Sequence, residues 1–185
     1  HTNARRGNGV FERIGSRMEA LRHSGIFFGV SLTITAGNFD ELTGESFISS
    51  LRKKGCMLFF YVEYVPVEPG SEADVLTLKQ RETLVPLMRR FSRRFGALFI
   101  AFPGDEEKFG CCLSSGRGFI HVNAEGKLEP CPFAPYSDTD CTSAGLVEAL
   151  RSPLLQKIRE HPEELAETSG GCTLWRKREW VQSLM

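Results

Sequence analysis

Ile26-Phe27-Phe28-Gly29-Val30-Ser31-Leu32-Thr33-Ile34-Thr35 is a continuous β-prone run set between two segments of helical periodicity. On its N-terminal side, from Gly9 to Gly25, the residues Phe11, Ile14, Met18 and Leu21 recur at steps of three and four, which puts them on one face of a helix that Gly25 is suited to cap. On its C-terminal side helical spacing returns from Asn38 to Lys54 through Phe47, Ile48 and Leu51, with Gly55 closing it. Cys56 to Val65 is a second apolar run. After a Pro/Glu/Gly loop from Pro66 to Asp74, a long helix is expected to about Phe95, bent or restarted at Pro86. Ala97 to Phe102 is the third run. Each run is apolar throughout rather than alternating, the pattern of parallel strands covered on both faces. Strand starts near residues 26, 56 and 97 suit the βα units of a barrel or wound sheet, so the fold class expected is α/β.

The texture changes near residues 103–110. From Pro103 to Asp140 the chain is rich in Gly, Pro, Ser and Cys, with a hairpin running from Phe119–Asn123 through Ala124, Glu125 and Gly126 into Lys127–Pro130. A helix from about Leu146 to Glu160, a loop with Gly170 and Gly171, and an amphipathic helix after Cys172 complete the reading. Two domains follow, 1–105 and 106–185, the second a small α+β cysteine-rich domain. At 185 residues the chain is long enough to bury a core without staples. Lys plus Arg and Asp plus Glu number 23 each, which disfavours a general nucleic-acid or membrane-surface binder. A hydrophobic content of 41% excludes disorder, and the longest apolar runs, such as Cys56 to Val62, are too short for a bilayer. His1 to Gly9 is polar and basic, unlike a signal peptide. A cytoplasmic protein is expected.

Six cysteines in such a chain point to metal or redox chemistry rather than a disulfide framework. Five lie in the last 75 residues: Cys111, Cys112, Cys131, Cys141 and Cys172. Cys112 stands before the hairpin and Cys131 just after it, so antiparallel pairing carries both thiols to one edge, with Gly126 supplying the positive φ of the turn. Cys172 opens a helix, whose N-terminus favours a thiolate. Thiolates gathered from separated segments serve iron–sulfur clusters and structural zinc alike. Zinc usually takes two close Cys-x-x-Cys pairs, and none occurs here. The wide spacing suits a larger inorganic cluster, with zinc and plain thiols as the alternatives. Cys56, at the head of an apolar run, reads as a buried small hydrophobe. Of the adjacent Cys111 and Cys112, only one points readily at a shared site, and Cys112 is preferred. Cys141, in a polar loop after Asp138 and Asp140, is the reserve fourth ligand.

The stretch from Cys112 through Gly116-Arg117-Gly118-Phe119 and Gly126 to Cys131-Pro132-Phe133 resembles the auxiliary-cluster domain, of SPASM/Twitch type, of radical S-adenosylmethionine enzymes. Cys172-Thr173-Leu174-Trp175 to Trp180 looks like that domain's closing segment. The βα units upstream, including Arg5-Arg6-Gly7-Asn8-Gly9-Val10-Phe11 and Ser31 to Thr35, look like the latter half of the family's partial TIM-like barrel. The resemblance implies an auxiliary [4Fe-4S] cluster held by Cys112, Cys131 and Cys172. It also implies a parent enzyme that cleaves S-adenosylmethionine reductively to a 5′-deoxyadenosyl radical, for hydrogen abstraction from a peptide or small-molecule substrate. Ser31 and Thr33, on the first strand here, become candidate contacts to the methionine and ribose of the cosubstrate, against the plain reading of ordinary strand hydroxyls.

The family's Cys-x3-Cys-x2-Cys triplet does not occur in this sequence. The chain therefore reads as a C-terminal part of a longer radical enzyme, or a degenerate relative, and is not expected to generate a radical alone. A non-catalytic, zinc-stabilised binding module is the alternative. An unfinished barrel edge implies self-association. Elsewhere, Arg89, Arg90, Arg93 and Arg94 form a basic helical face read as solvated, and Asp105, Glu106 and Glu107 a solvated loop. His121 reads as a hydrogen-bonded structural histidine, Arg117 as a loop residue within reach of an anion or the cluster sulfurs, and Trp175 and Trp180 as packing for the terminal helix.

Overall fold

The computed structural model describes residue 3 and residues 6–102, 111–166 and 172–185. It is a mixed α/β protein of two compact units, one comprising His1–Tyr64 and Leu76–Phe102, the other Val65–Val75 and Pro103–Met185. The boundary stretch 103–110, with Asp105, Glu106 and Glu107, and the Gly170-Gly171 loop lie outside the described residues.

The first unit opens with α1 (Val10–His23) and continues through β1 (Gly29–Ile34), α2 (Phe39–Leu42), α3 (Glu45–Lys53), β2 (Leu58–Glu63), α4 (Leu78–Phe95) and β3 (Leu98–Phe102). The strands form one parallel sheet in the order β1-β2-β3, with Ser31, Phe60 and Ile100 in one row and Thr33, Val62 and Phe102 in another. No barrel is closed among the described residues. Two helix ends use the same device. Past α1, Gly25 at φ 66° donates to the Arg22 carbonyl and Ile26 to that of Leu21; past α3, Gly55 at φ 94° donates to Arg52 and Cys56 to Leu51. These are Schellman closures, and glycine accepts the left-handed turn they require. Each closure aims the chain directly into the next strand.

The core lies on one face of the sheet, where Ile34, Phe59, Tyr61 and Ala101 pack with Phe39, Ile48, Leu84, Met88 and Phe91 from the helices. Phe59 and Phe99 stack there with centroids 4.5 Å apart. The other face departs from the two-sided cover expected of uniformly apolar runs. Ser31, Leu98 and Ile100 are exposed on it, the last two at 56% and 42%, and burial along β2 strictly alternates. In α1 the apolar stripe is likewise only partly used: Met18 is buried, whereas Phe11 and Ile14 are exposed.

Two helix expectations are revised. The helix expected over Asn38–Lys54 is split, because Gly44 takes an extended conformation and becomes the N-cap of α3. Of the bend or restart expected at Pro86, the restart does not occur. The helix α4 runs uninterrupted from a Thr77–Gln80 capping box to a left-handed Gly96, and Pro86 sits on its exposed side, where water can serve the Glu82 carbonyl that loses its partner. Arg89, Arg90, Arg93 and Arg94 are exposed on α4, with Arg94 paired to Glu45 at 2.8 Å. Cys56 is fully buried, its thiol donating to the Leu58 carbonyl and pushed up by burial.

The second unit contains β4 (His121–Val122), β5 (Lys127–Glu129) and β6 (Thr139–Asp140) in one antiparallel sheet, then α5 (Leu146–Ala149), α6 (Pro153–Arg159), α7 (Thr173–Arg176) and α8 (Arg178–Ser183). The third strand was not anticipated, and the helix expected from Leu146 to Glu160 is divided at Ser152-Pro153. Ser152 caps α6 by accepting from the Leu155 N–H, and Pro153 fills the first helical position, which needs no N–H. No helix among the described residues is long and apolar enough to cross a membrane.

Asp138 ties this helix to the sheet. Its carboxylate accepts from the Ser152 hydroxyl at 2.5 Å and the Leu154 N–H at 2.7 Å. Burial alone would push the carboxyl up, but hydrogen bonds from Ser152, Leu154 and Thr139 outweigh it and hold it below the usual carboxylate range. A depressed carboxyl stabilises the fold above the unfolded value and loses that contribution as pH falls through the folded one. Asp138→Asn is therefore expected to cost about 1 kcal/mol at pH 7, after allowance for solvent screening, and progressively less below about pH 4. Urea midpoints of both proteins at neutral and acid pH check this.

Candidate functional site

The hairpin and the loop before it bring Cys112 and Cys131 together. The Leu113 carbonyl accepts from the N–H groups of Gly118 at 2.7 Å and Phe119 at 3.1 Å, and Gly116 donates to Phe119 at 2.9 Å, so the loop folds back on itself. The turn takes left-handed backbone at Ser115 and Gly116, φ 59° and 80°. Ser115 N–H then reaches the carbonyl of Pro130, the residue before Cys131, at 3.1 Å, and Cys112 N–H donates to Leu165 at 3.0 Å. Beyond the loop, His121 pairs in register with Glu129 and Val122 with Leu128. Glu129 is buried, accepting from Asn123 Nδ2 at 2.7 Å and contacting His121 Nδ1 at 3.2 Å, so His121 is a hydrogen-bonded hairpin residue.

Gly126 has the positive φ that the hairpin reading required, 80°. A Cβ there would also overlap the Thr142 methyl. Gly126→Ala is expected to destabilise the second unit by about 2 kcal/mol, combining left-handed strain with overpacking. Thermal unfolding followed by circular dichroism measures this, and Thr142→Ser in the same chain should relieve only the overpacking part.

The third thiol arrives with Cys172, the N-cap residue of α7. Cys131 and Cys172 are joined by a side-chain hydrogen bond, and Cys112 is near enough to act on Cys131 electrostatically. The Cys131 thiol is pushed far above the ordinary cysteine range, first by the bond with Cys172, then by burial, and then by the charges of Cys172 and Cys112, against a weaker opposing pull from the Phe133 backbone. Cys112 and Cys131 are buried in a cluster with Ala134, Leu154, Ile158, Leu165, Leu174 and Val181, and half-buried Cys172 packs against it. The Cys112 thiol contacts the fully buried Ser114 hydroxyl at 3.3 Å. All six cysteines are thiols without a disulfide.

Cys111 and Cys141 lie in different apolar clusters. Cys111 is buried in the same cluster as Cys112 and Cys131, and Arg117 Nη1 donates both to its sulfur and to the Cys112 carbonyl, the latter at 3.1 Å. Cys141 packs against a separate cluster of Leu128, Ala149 and Leu155, its N–H bonded to the Gly126 carbonyl. The short helix opened by Cys172 spans four residues, too few for the anion-stabilising terminus its sequence suggested. Trp180 packs on the cysteine cluster, and Trp175 lies beneath the Arg178 guanidinium at 4.7 Å. Among the described residues, no group of three or more His, Cys, Asp or Glu side chains is arranged to hold a metal ion.

Ser114 and Cys111 were the members of this neighbourhood that sequence reasoning left out. The signal for Ser114 was its position two residues after a candidate ligand, where a hydroxyl can donate to a thiolate. In the first unit, Ser31 and Thr33 both lie on the sheet face opposite the core, with Ser31 exposed and Thr33 half-buried. The Thr33 carbonyl accepts from Asn38 Nδ2 at 3.1 Å.

No family model, curated protein or solved structure matches the chain.

Proposed function

We propose that the chain carries barrel strands and the auxiliary-cluster domain of a radical S-adenosylmethionine enzyme, with Cys112, Cys131 and Cys172 as ligands of a [4Fe-4S] cluster. The observation that carries this reading is that Cys112 and Cys131, from either side of the hairpin, are buried in one apolar cluster against which Cys172, from a third segment, packs. Thiols are the donor type that such a group takes. Sulfurs that hold their protons tightly when crowded together without a cation are deprotonated when one binds. A bound cluster would supply one-electron chemistry. The chain's own residues position the thiols and direct the Ser114 and Arg117 side chains toward the sulfurs of Cys112 and Cys111.

The same proposal assigns the parallel sheet to a partial TIM-like barrel, which its in-order strands and one-sided core support. Ser31 and Thr33, on the open face, would contact the methionine and ribose of S-adenosylmethionine in the whole enzyme. The substrate would be a peptide or small molecule, the setting cytoplasmic, and the edges of β1 and β3 a route to self-association.

Anaerobic reconstitution with ferrous iron and sulfide tests the cluster. Iron and sulfide should bind in parallel and give broad visible absorbance bleached by dithionite. Retention of zinc alone, unaffected by Cys112→Ala or Cys131→Ala, would overturn it. Zinc lost together with the fold of the second unit would instead support a metal-stabilised binding module.

A further inference from the structure

We propose that the chain binds a second copy of itself head to tail, the basic end of the first unit in one copy taking up an acidic and apolar patch on the second unit of the other. The proposal is independent of the iron–sulfur reading, and it uses a surface other than the strand edges named above. The balance of 23 basic against 23 acidic residues conceals an uneven division. The first unit carries 14 Lys and Arg against 7 Asp and Glu, a net charge of +7; the second carries 9 against 16, a net charge of −7. A chain of zero net charge has no overall repulsion to keep its copies apart, while each unit attracts the opposite unit of a neighbour.

In the first unit the positive charge gathers at one end of the sheet. The helices α1, α3 and α4 each turn directly into the strand that follows, so their C-termini lie beside the strand starts, where Gly29, Leu58 and Leu98 form one row. Arg22 Nη1 donates to the Lys53 carbonyl at 2.8 Å and Arg52 Nε to the Phe95 carbonyl at 3.0 Å, which ties the three helix ends together. Cations are favoured at each helix C-terminus by the helix dipole. Here three such ends converge, and Arg22, Lys53, Arg93 and Arg94 are exposed on them. The same end exposes Ile26, Phe27 and Leu98, at 53%, 61% and 56%. Phe28 packs into the core, which leaves its neighbour Phe27 outside. Apolar side chains within a charged rim are the composition of a protein-docking surface.

The second unit offers the complement. On α5, Leu146 and Val147 are 56% and 73% exposed, and Glu148 beside them is exposed as well. Val147 is the most exposed large apolar side chain among the described residues. Opposite charge steers the encounter and fixes its register, while contact between the apolar groups supplies affinity. Each copy carries both surfaces, so two copies can satisfy one another reciprocally or continue as a longer row.

The test is sedimentation velocity of the full chain at ionic strengths of about 0.01 M and about 0.15 M, between which the screening length falls from roughly 30 Å to roughly 8 Å. Dimers or longer species are expected at the lower value, with association weakened by about 10-fold or more at the higher. The double variant Lys53→Glu with Arg93→Glu should sediment as a monomer, and Glu148→Lys should associate more weakly than wild type. Mixing these two variants should restore association, because the second unit of the first and the first unit of the second still make the native junction. Val147→Ser should weaken association at both ionic strengths. All these side chains are exposed, and circular dichroism confirms that each variant is folded; the salt response of wild type decides the matter should one fail. Association that ignores salt and both charge variants would place the contact at the strand edges and overturn the proposal, as would a mixture that stays monomeric. A wild type that is monomeric at low ionic strength overturns it too. Should that monomer bind a labelled single-stranded oligonucleotide or phosphatidylserine vesicles, the basic end serves another class of partner.

Discussion

Glu63→Gln is expected to lower the stability of the first unit by about 3 kcal/mol, the largest loss anticipated from a single polar substitution there. Glu63 closes β2 on the core side and is 6% exposed. Arg81, on the first turns of α4, donates to its Oε2 through Nε at 2.7 Å and Nη2 at 2.6 Å, and is itself only 13% exposed. The pair fastens the longest helix to the middle strand. Removing the negative charge leaves a guanidinium largely out of water facing a neutral amide where it faced a carboxylate, and the cost of keeping that charge desolvated dominates. The double replacement Glu63→Leu with Arg81→Met should therefore recover much of the loss. Urea unfolding followed by circular dichroism separates the cases. A single-mutant loss below about 1 kcal/mol would mean that the pair behaves as an exposed ion pair.

Cys131→Ala is expected to reduce iron uptake by more than the ~10–100-fold that losing an outer-sphere partner costs a metal site. Cys131 is the sulfur on which the other two act. The metal-free protein should barely register the change, because exchanging a small apolar-like thiol for a methyl leaves only a small void, worth about 1 kcal/mol. Cys56→Ala is the matched control: it removes an equally buried thiol from the other unit and should leave iron content at the wild-type level. Equal iron in both variants would show that the three clustered thiols hold no cluster.

The βα order was legible because it is written in local terms. Each apolar run begins just after a glycine, Gly25, Gly55 or Gly96, and each glycine has the positive φ that ends a helix. Coverage of the sheet was not legible, since Leu98 and Ile100 read the same whether or not another layer lies over them. The strand at Thr139–Asp140 spans two residues, too short to express a period of two. In the site, the meeting of Cys112 and Cys131 followed from hairpin geometry, with Gly126 as its hinge. Cys172 depended on the resemblance, because nothing local links it to the hairpin. That Cys111 packs in the cluster of Cys112 and Cys131 was hidden because it depends on a loop whose direction is set by a left-handed serine, a conformation that the identity of residue 115 does not announce.

The in-order sheet has a consequence for how the polypeptide is made. Each strand pairs with the one before it, Gly29 with Leu58 and Leu58 with Leu98, and no later strand must be threaded between two earlier ones. As synthesis proceeds, β2 can dock on β1 once the intervening helices have emerged, and β3 can then add to the free side of β2. Assembly of this kind keeps pace with a ribosome, with each nascent strand growing outward from an edge already built.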